Sequence, residues 1–242
     1  MAISAGTLEF RIILILTLIT IGFKIIMASY LGMRIARSKR ESGPGGTDFM
    51  FGMMMFMIAL FVSRIFYVIF DFYYTQFDMS VYHLSPNVWF WKMGQLISGL
   101  GIAYLIDVVD KKILQRKFKG ILTIIMVAGA VMMFVIPIRS PEDFALVSAI
   151  GMIPQLGVAI VPFIFIHIAI KSTGELRQTA WMIVIASILL AISAIIVNAG
   201  IVSALNNLVA PNSVDVYIYL VQTISKIISY LLFVLASSRF KI

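Results

Sequence analysis

The chain contains no cysteine, and Asp and Glu together number 11 against 19 Lys and Arg in 242 residues. Without thiols there are no disulfides, no thiolate metal sites and no S-palmitoylation. The two histidines are not clustered, and no H-E-x-x-H run or nucleotide-binding glycine loop occurs. The usual signatures of metal hydrolases and nucleotide enzymes are therefore missing. Charged residues make up only 12% of the chain and hydrophobic residues 61%, so no water-soluble domain can be cut from it. No catalytic residue, resident metal or cofactor is expected, and no enzymatic activity.

Long apolar runs stand in place of these signatures. Seven of them, near 8–33, 48–74, 88–107, 120–138, 144–170, 179–204 and 214–236, fill almost all of residues 1–242. About 20 apolar residues at ~1.5 Å rise per residue cross the ~30 Å hydrocarbon layer, and each run reaches that length. The pattern predicts an all-α integral membrane protein made of a single seven-transmembrane-helix bundle. Glu9 and Arg11 at its start, its length, and the lack of a small-residue cleavage site mark the first run as an anchor rather than a signal peptide.

Short loops rich in Lys and Arg stay on the cytoplasmic side of a membrane. Arg34, Arg37, Lys39 and Arg40 follow the first run; Lys111, Lys112, Arg116, Lys117 and Lys119 follow the third; Lys171 and Arg177 follow the fifth; Arg239 and Lys241 follow the last. Arg11 and Arg139 fall on the other side. The expected topology is N-terminus outside and C-terminus cytoplasmic, a multi-pass protein of the cell membrane. The net charge of +8 then describes an inner face meeting anionic lipid headgroups, with no nucleic acid implied.

Breakers separate the runs: Gly43-Pro44-Gly45-Gly46, Ser85-Pro86-Asn87, Ser140-Pro141-Glu142-Asp143 and Pro211-Asn212. The second and third also carry groups able to cap the next helix. Tyr73, Tyr74, Tyr82, Trp89, Trp91, Tyr217 and Tyr219 gather near the outer ends, as an interfacial belt does. The Met-rich run 53–57 suits soft packing. Gln95-Leu96-Ile97-Ser98 echoes Gln222-Thr223-Ile224-Ser225 at the offset of a 3+1+3 repeat, in which helices 1–3 recur as 5–7.

Ionisable groups within a bilayer are costly and usually face the bundle interior. Here they are Lys24, Arg64, Lys92 and Lys226, with a single acid, Asp71. Lys226 falls at the middle of the last run, where a lipid-facing lysine cannot easily reach either interface. Arg64 and Asp71 share a face at i, i+7 with Tyr67 between them, about 10 Å apart along the axis, so each is expected to meet another helix rather than its neighbour. Lys24 is expected to snorkel toward the cytoplasmic interface. Gln95, Gln155 and Asn198 fall outward of centre and Gln222 stands one turn from Lys226. If they converge, Lys226, Arg64, Asp71, Gln222, Gln95, Gln155 and Asn198 form an outward-opening polar pocket whose bases favour an anion. Pro154 and Pro162 in the fifth run are expected to kink it and serve as a hinge.

Three resemblances follow from these residues. Pro154-Gln155 within a 3+1+3 plan resembles the PQ-loop and sugar-efflux transporter group, although the first run lacks the companion proline. Lys226 resembles the retinal-bearing lysine of rhodopsins. The third run has no carboxylate counterion near its middle, Gln222 stands where microbial rhodopsins usually have Asp, and the sixth run has no ring beyond Trp181, so retinal on Lys226 is not expected. The block FGMMMFMIALFVSRIFYVIFDFYYTQFD from Phe51 to Asp78, with DKKILQRKFKG after it, resembles uncharacterised archaeal seven-helix membrane proteins and implies that fold without an activity.

These features favour a receptor or sensor that binds a small anionic ligand and relays helix movement to its basic cytoplasmic face, where another protein or a second copy would be met. A small-solute transporter and a structural subunit of a larger complex are the alternatives.

Overall fold

In the computed structural model, which describes residues 7–42, 47–196 and 214–239, the chain is all-helical, with no strand among the described residues. The helices are α1 (Leu8–Ser42), α2 (Asp48–Val68) continued by a π-helical turn (Ile69–Tyr74), α3 (Asn87–Lys112), α4 (Ile121–Val135), α5 (Pro141–Ile150), α6 (Met152–Lys171), α7 (Gly174–Ile195) and α8 (Val214–Arg239). Six segments are long and apolar enough to cross a membrane: Leu8–Arg40, Asp48–Tyr74, Asn87–Lys112, Pro141–Lys171, Gly174–Ser193 and Tyr217–Arg239. The breakers at 43–46 and 211–212 lie outside the described residues.

The fourth run departs from expectation. α4 has 15 residues, which at ~1.5 Å each is about 22 Å, short of a ~30 Å hydrocarbon layer. Its end has a local cause. Ile136 precedes Pro137, whose ring pushes the preceding residue out of helical geometry, and Ile136 is extended with φ −60° and ψ 125°.

The fifth run is divided at Gly151 into α5 and α6. Pro154 has no N–H to give the Ile150 carbonyl and its ring would collide with it, so the first helix stops there. Pro162, by contrast, lies inside the continuous α6. Ser140 caps α5 as expected, and does so through a reciprocal capping box: its hydroxyl accepts from Asp143 N at 3.2 Å, and the Asp143 carboxylate accepts from Ser140 N at 3.2 Å and Arg139 N at 2.9 Å. At the other proline turn Asn87 behaves differently, donating its amide back to the Val81 carbonyl at 2.9 Å.

The packing order α1, α2, α3, α6, α7, α8 closes on itself, with α8 returning to α1, and α4 lies against α3 and α6. Glycines allow the closest approaches, since a Cβ on Gly99 would sit 2.9 Å from Ala130 Cβ and one on Gly101 only 2.4 Å from Ala59 Cβ. An apolar core fills the half nearer the basic loops, around Met53, Phe56, Met57, Ile106, Phe165 and Phe233. Met53 and Met57 are fully buried there, so the Met-rich run is packing material. A second core at the opposite end joins Phe70, Trp91, Met133 and Val147, with Tyr82 and Phe144 packed on it. Trp91 and Tyr82 thus leave the expected interfacial belt, whereas Tyr73, Trp89 and Tyr217 stay exposed as the belt requires.

At the basic end, buried Asp110 organises the loop after α3. Its carboxylate accepts from Phe118 N at 3.0 Å and Gly120 N at 2.9 Å, and its carbonyl accepts from Arg116 N at 2.7 Å. Lys112 pairs with Asp48 at 2.5 Å, tying the end of α3 to the start of α2, and Lys111 pairs closely with Asp107.

Candidate functional site

On α1 the buried positions Ile13, Thr17, Thr20, Lys24, Leu31 and Ile35 recur at helical spacing, so one stripe faces the protein and its middle is polar. α2 turns Leu60, Ser63, Arg64 and Tyr67 toward this region. The last helix contributes Gln222, Lys226 and Tyr230 at helical spacing, while Ser229 turns to α7 and donates to the Ala186 carbonyl at 2.7 Å.

Contacts between the three helices join their charges. Lys24 Nζ donates to the Leu60 carbonyl at 3.0 Å and lies 5.6 Å from the centroid of the Tyr230 ring. Arg64 Nη2 donates to Thr17 Oγ1 at 3.2 Å, and Arg64 Nη1 lies 3.9 Å from Asp71 Oδ2. Arg64 and Lys226 both lie within Coulombic range of Asp71, and Lys24 lies within range of Lys226 and Arg64. Arg64 and Lys226 therefore lie near the Asp71 carboxylate, and Lys24 lies on the inward side of these two bases. Tyr67 closes the side toward α3, its hydroxyl facing Ser63 and Ser98 and its ring resting on Gly94, where a Cβ would come within 3.1 Å of Tyr67 Cζ.

Two expectations are corrected here. Arg64 meets Thr17 on another helix as expected, but it also approaches Asp71 on its own helix, at 3.9 Å across the start of the π-helical turn. Their separation exceeds hydrogen-bond length, which leaves each with capacity for another partner. Lys24 does not snorkel to an interface. It points inward with 5% of its surface exposed, because a carbonyl and an aromatic face are offered at its own depth. Lys24 and Thr17 are thus the members of the cluster that sequence reasoning missed. The signal that would have found them is the spacing of Thr17, Thr20 and Lys24 in register with Ile13 and Leu31.

The remaining residues of the expected pocket are placed as follows. Gln222 is buried one turn from Lys226. Gln95 is half-buried on α3, its main-chain carbonyl accepting from Ser98 Oγ at 3.0 Å. Asn198 lies outside the described residues, as does the side chain of Gln155. The two prolines do not act alike: Pro154 marks the α5–α6 break and packs between Gly99 and Gly129, whereas α6 passes through Pro162 without interruption.

Lys92 is accounted for elsewhere. Its Nζ donates to the carbonyls of Phe134 and Ile136, at 3.1 and 2.5 Å, and lies 5.4 Å from the Trp89 ring. These carbonyls belong to the end of α4, where no further N–H arrives and the helix dipole is negative. Lys92 is a cap.

A cavity of about 10 Å³ lies nearer the basic end, lined by apolar side chains including Phe56, Ile106, Val161 and Phe233. It has room for one water at most and no polar group to hold it. Compared with family models, curated proteins and solved structures, the chain matches none.

Proposed function

We propose that the chain is a seven-helix receptor or sensor of the cell membrane, N-terminus outside, that binds a small anion at the charge cluster of α1, α2 and α8. The observation that carries this reading is the imbalance of the cluster, in which, among the described residues, the three bases Lys24, Arg64 and Lys226 lie near one another and Asp71 lies beside two of them. Buried charges are retained when paired or when a ligand completes them. Arg64 and Asp71 keep 20% and 18% of their side-chain surface exposed, consistent with an approach from the end of α2 that carries Asp71. α4 serves as the seventh crossing, since Lys119 precedes it and Arg139 follows it, and the bilayer thins locally or the extended residues after it complete the passage. Counting it keeps every Lys- and Arg-rich loop on one side. The ligand would shift α8 or α6, and the basic end would pass the change to a cytoplasmic protein or a second copy beside anionic headgroups.

A second reading, a small-solute carrier of the 3+1+3 type, draws on the break at Gly151 and on the neighbouring groups α1–α3 and α6–α8 joined through α4. Thermal unfolding of the purified chain against a panel of small anions, neutral solutes and retinal tests both, because a ligand of the folded state raises its stability. An anion-dependent rise that Lys226→Met abolishes supports the site, and uptake into liposomes then separates carrier from receptor. No rise with any compound overturns the reading, and a loss of stability in Lys226→Met would then assign the cluster to helix packing, whereas unchanged stability would leave contacts within a larger complex as its role.

A further inference from the structure

At the basic end, the loop from Ile113 to Gly120 departs from the form of a solvated linker. Gln115, Arg116 and Lys119 all adopt the left-handed region, at φ 51°, 63° and 50°, which residues with side chains enter only when neighbouring bonds hold them there. Buried Asp110 provides such bonds through Arg116 N, Phe118 N and Gly120 N, and the Leu114 and Arg116 carbonyls accept from Lys117 N and Lys119 N at 3.1 and 2.9 Å. The conformation sets what the loop presents. Phe118 is exposed, and its carbonyl accepts from Ile121 N at 2.9 Å, which places it one turn before Ile121 and Ile124, the exposed apolar residues that open α4. Lys117 and Lys119 flank Phe118 and are exposed as well. Lys111 and Arg116 are engaged with Asp107 and Lys112 with Asp48, but among the described residues no ion pair involves Lys117 or Lys119.

We infer that this loop seats an anionic phospholipid, with Lys117 and Lys119 on its headgroup phosphate and Phe118 beside the start of its acyl chains. It rests on the reading of α4 as a membrane crossing and is independent of the anion site. Two residues apart, the lysines have Cα atoms at most about 7 Å from each other, so their flexible stems can bring both ammonium groups onto one phosphate. An exposed aromatic residue between two cations, continuous with a lipid-facing helix, matches the boundary between headgroups and hydrocarbon, whereas a free phosphate in water has no use for it. The seat also accounts for the length of α4. A helix of about 22 Å needs the headgroups of one leaflet drawn toward it, and two lysines at its threshold supply that pull. A basic loop that only marks the cytoplasmic side needs none of this order.

The test uses the full chain in detergent, titrated with phosphatidylglycerol or phosphatidylcholine and followed by native mass spectrometry and thermal unfolding. Phosphatidylglycerol should bind about tenfold more tightly than phosphatidylcholine, the scale of two lysines meeting an anionic headgroup. Lys117→Gln with Lys119→Gln should erase that preference, whereas Lys171→Gln with Arg177→Gln, which removes the same charge from the same end, should keep it. Asp110→Asn separates a built seat from general attraction: it makes the end more positive, yet it should weaken binding because the loop loses its organising carboxylate. Should that variant not fold, the paired lysine and control variants decide alone. No preference in the parent, equal loss in the paired and control variants, or displacement of the lipid by equimolar inorganic phosphate overturns the inference. The chain lacks cysteine, so Lys117→Cys and Arg139→Cys, made singly, can be labelled from either face of a sealed vesicle. Opposite faces are expected. Labelling from the same face removes the crossing by α4 and the seat with it, whereas opposite faces without lipid preference remove the seat alone.

Discussion

Lys24 and Lys92 are both buried lysines on membrane-spanning helices, and both donate to backbone carbonyls of a neighbouring helix, yet the regions around them are built on different principles. Lys92 belongs to the seam of α3, α4 and α6, where glycines meet Ala130, Ile153 and Pro154 at van der Waals limits. It is held there by the open carbonyls of a helix end, which supply acceptors that no N–H will claim. Lys24 belongs to the wall of α1, α2 and α8, where it reaches the middle of a continuous helix and finds the Tyr230 ring and a carbonyl with other commitments. In the seam, charge completes the fold. In the wall, three bases lie near one another with Asp71 beside two of them, and the proposed anion site rests on that arrangement.

Substitutions that remove charge from the wall and volume or charge from the seam should separate these roles. The largest effect is expected from Lys226→Met. It should abolish the anion-induced rise in unfolding temperature while leaving the unliganded protein as stable or more stable, by about 1 to 4 kcal/mol, since replacing a buried ion with an apolar chain of similar volume removes a desolvation cost. A large loss of stability instead would mean that the wall, like the seam, needs its charges to fold. Next comes Gly99→Leu, whose side chain has no space between Ala130 and Pro154. Overpacking should cost about 3 kcal/mol in thermal unfolding with the anion response intact.

Lys92→Met should lower stability by about 2 kcal/mol, because two carbonyls at the end of α4 lose a charged donor. Its anion response should equal that of the parent, and a weakened response would place Lys92 in the wall after all. The smallest effect concerns the turn after α2. Asp78 accepts from Ser80 N at 2.9 Å and Ser80 Oγ at 2.7 Å, and these bonds hold its carboxyl below the usual 3.8. A carboxyl depressed in the folded state adds stability above its unfolded value, and that contribution fades as pH falls through the lower folded value. The protection factor of the Ser80 amide, its exchange rate relative to the intrinsic rate at the same pH, should therefore fall on acidification below about pH 4, and Asp78→Asn should remove that acid dependence.

How far each feature could be read in one dimension differs from element to element. Six of the seven runs became helices of membrane-crossing length, and the cap at Ser140 formed as expected. The shortness of α4 was also legible, in Pro137, had its effect on Ile136 been weighed against the apolar run around it. The division at Gly151 followed from Pro154, but why Pro162 leaves α6 whole did not. For the site, the depth of Lys226, Arg64 and Asp71 along their helices was readable, because rise per residue converts position into height. Which way each helix is turned was not.

The sequence by itself determined that the chain is all-helical and where six of its membrane-length segments lie, because hydrophobic length and proline placement act locally. Only the tertiary structure decided that Lys24 turns inward to Leu60, 36 residues away, and that Arg64 finds Thr17, 47 residues away. Such pairings depend on the rotation and contact of separate helices. Those are set by glycine approaches and packed side chains along whole interfaces, and no local run of residues encodes them.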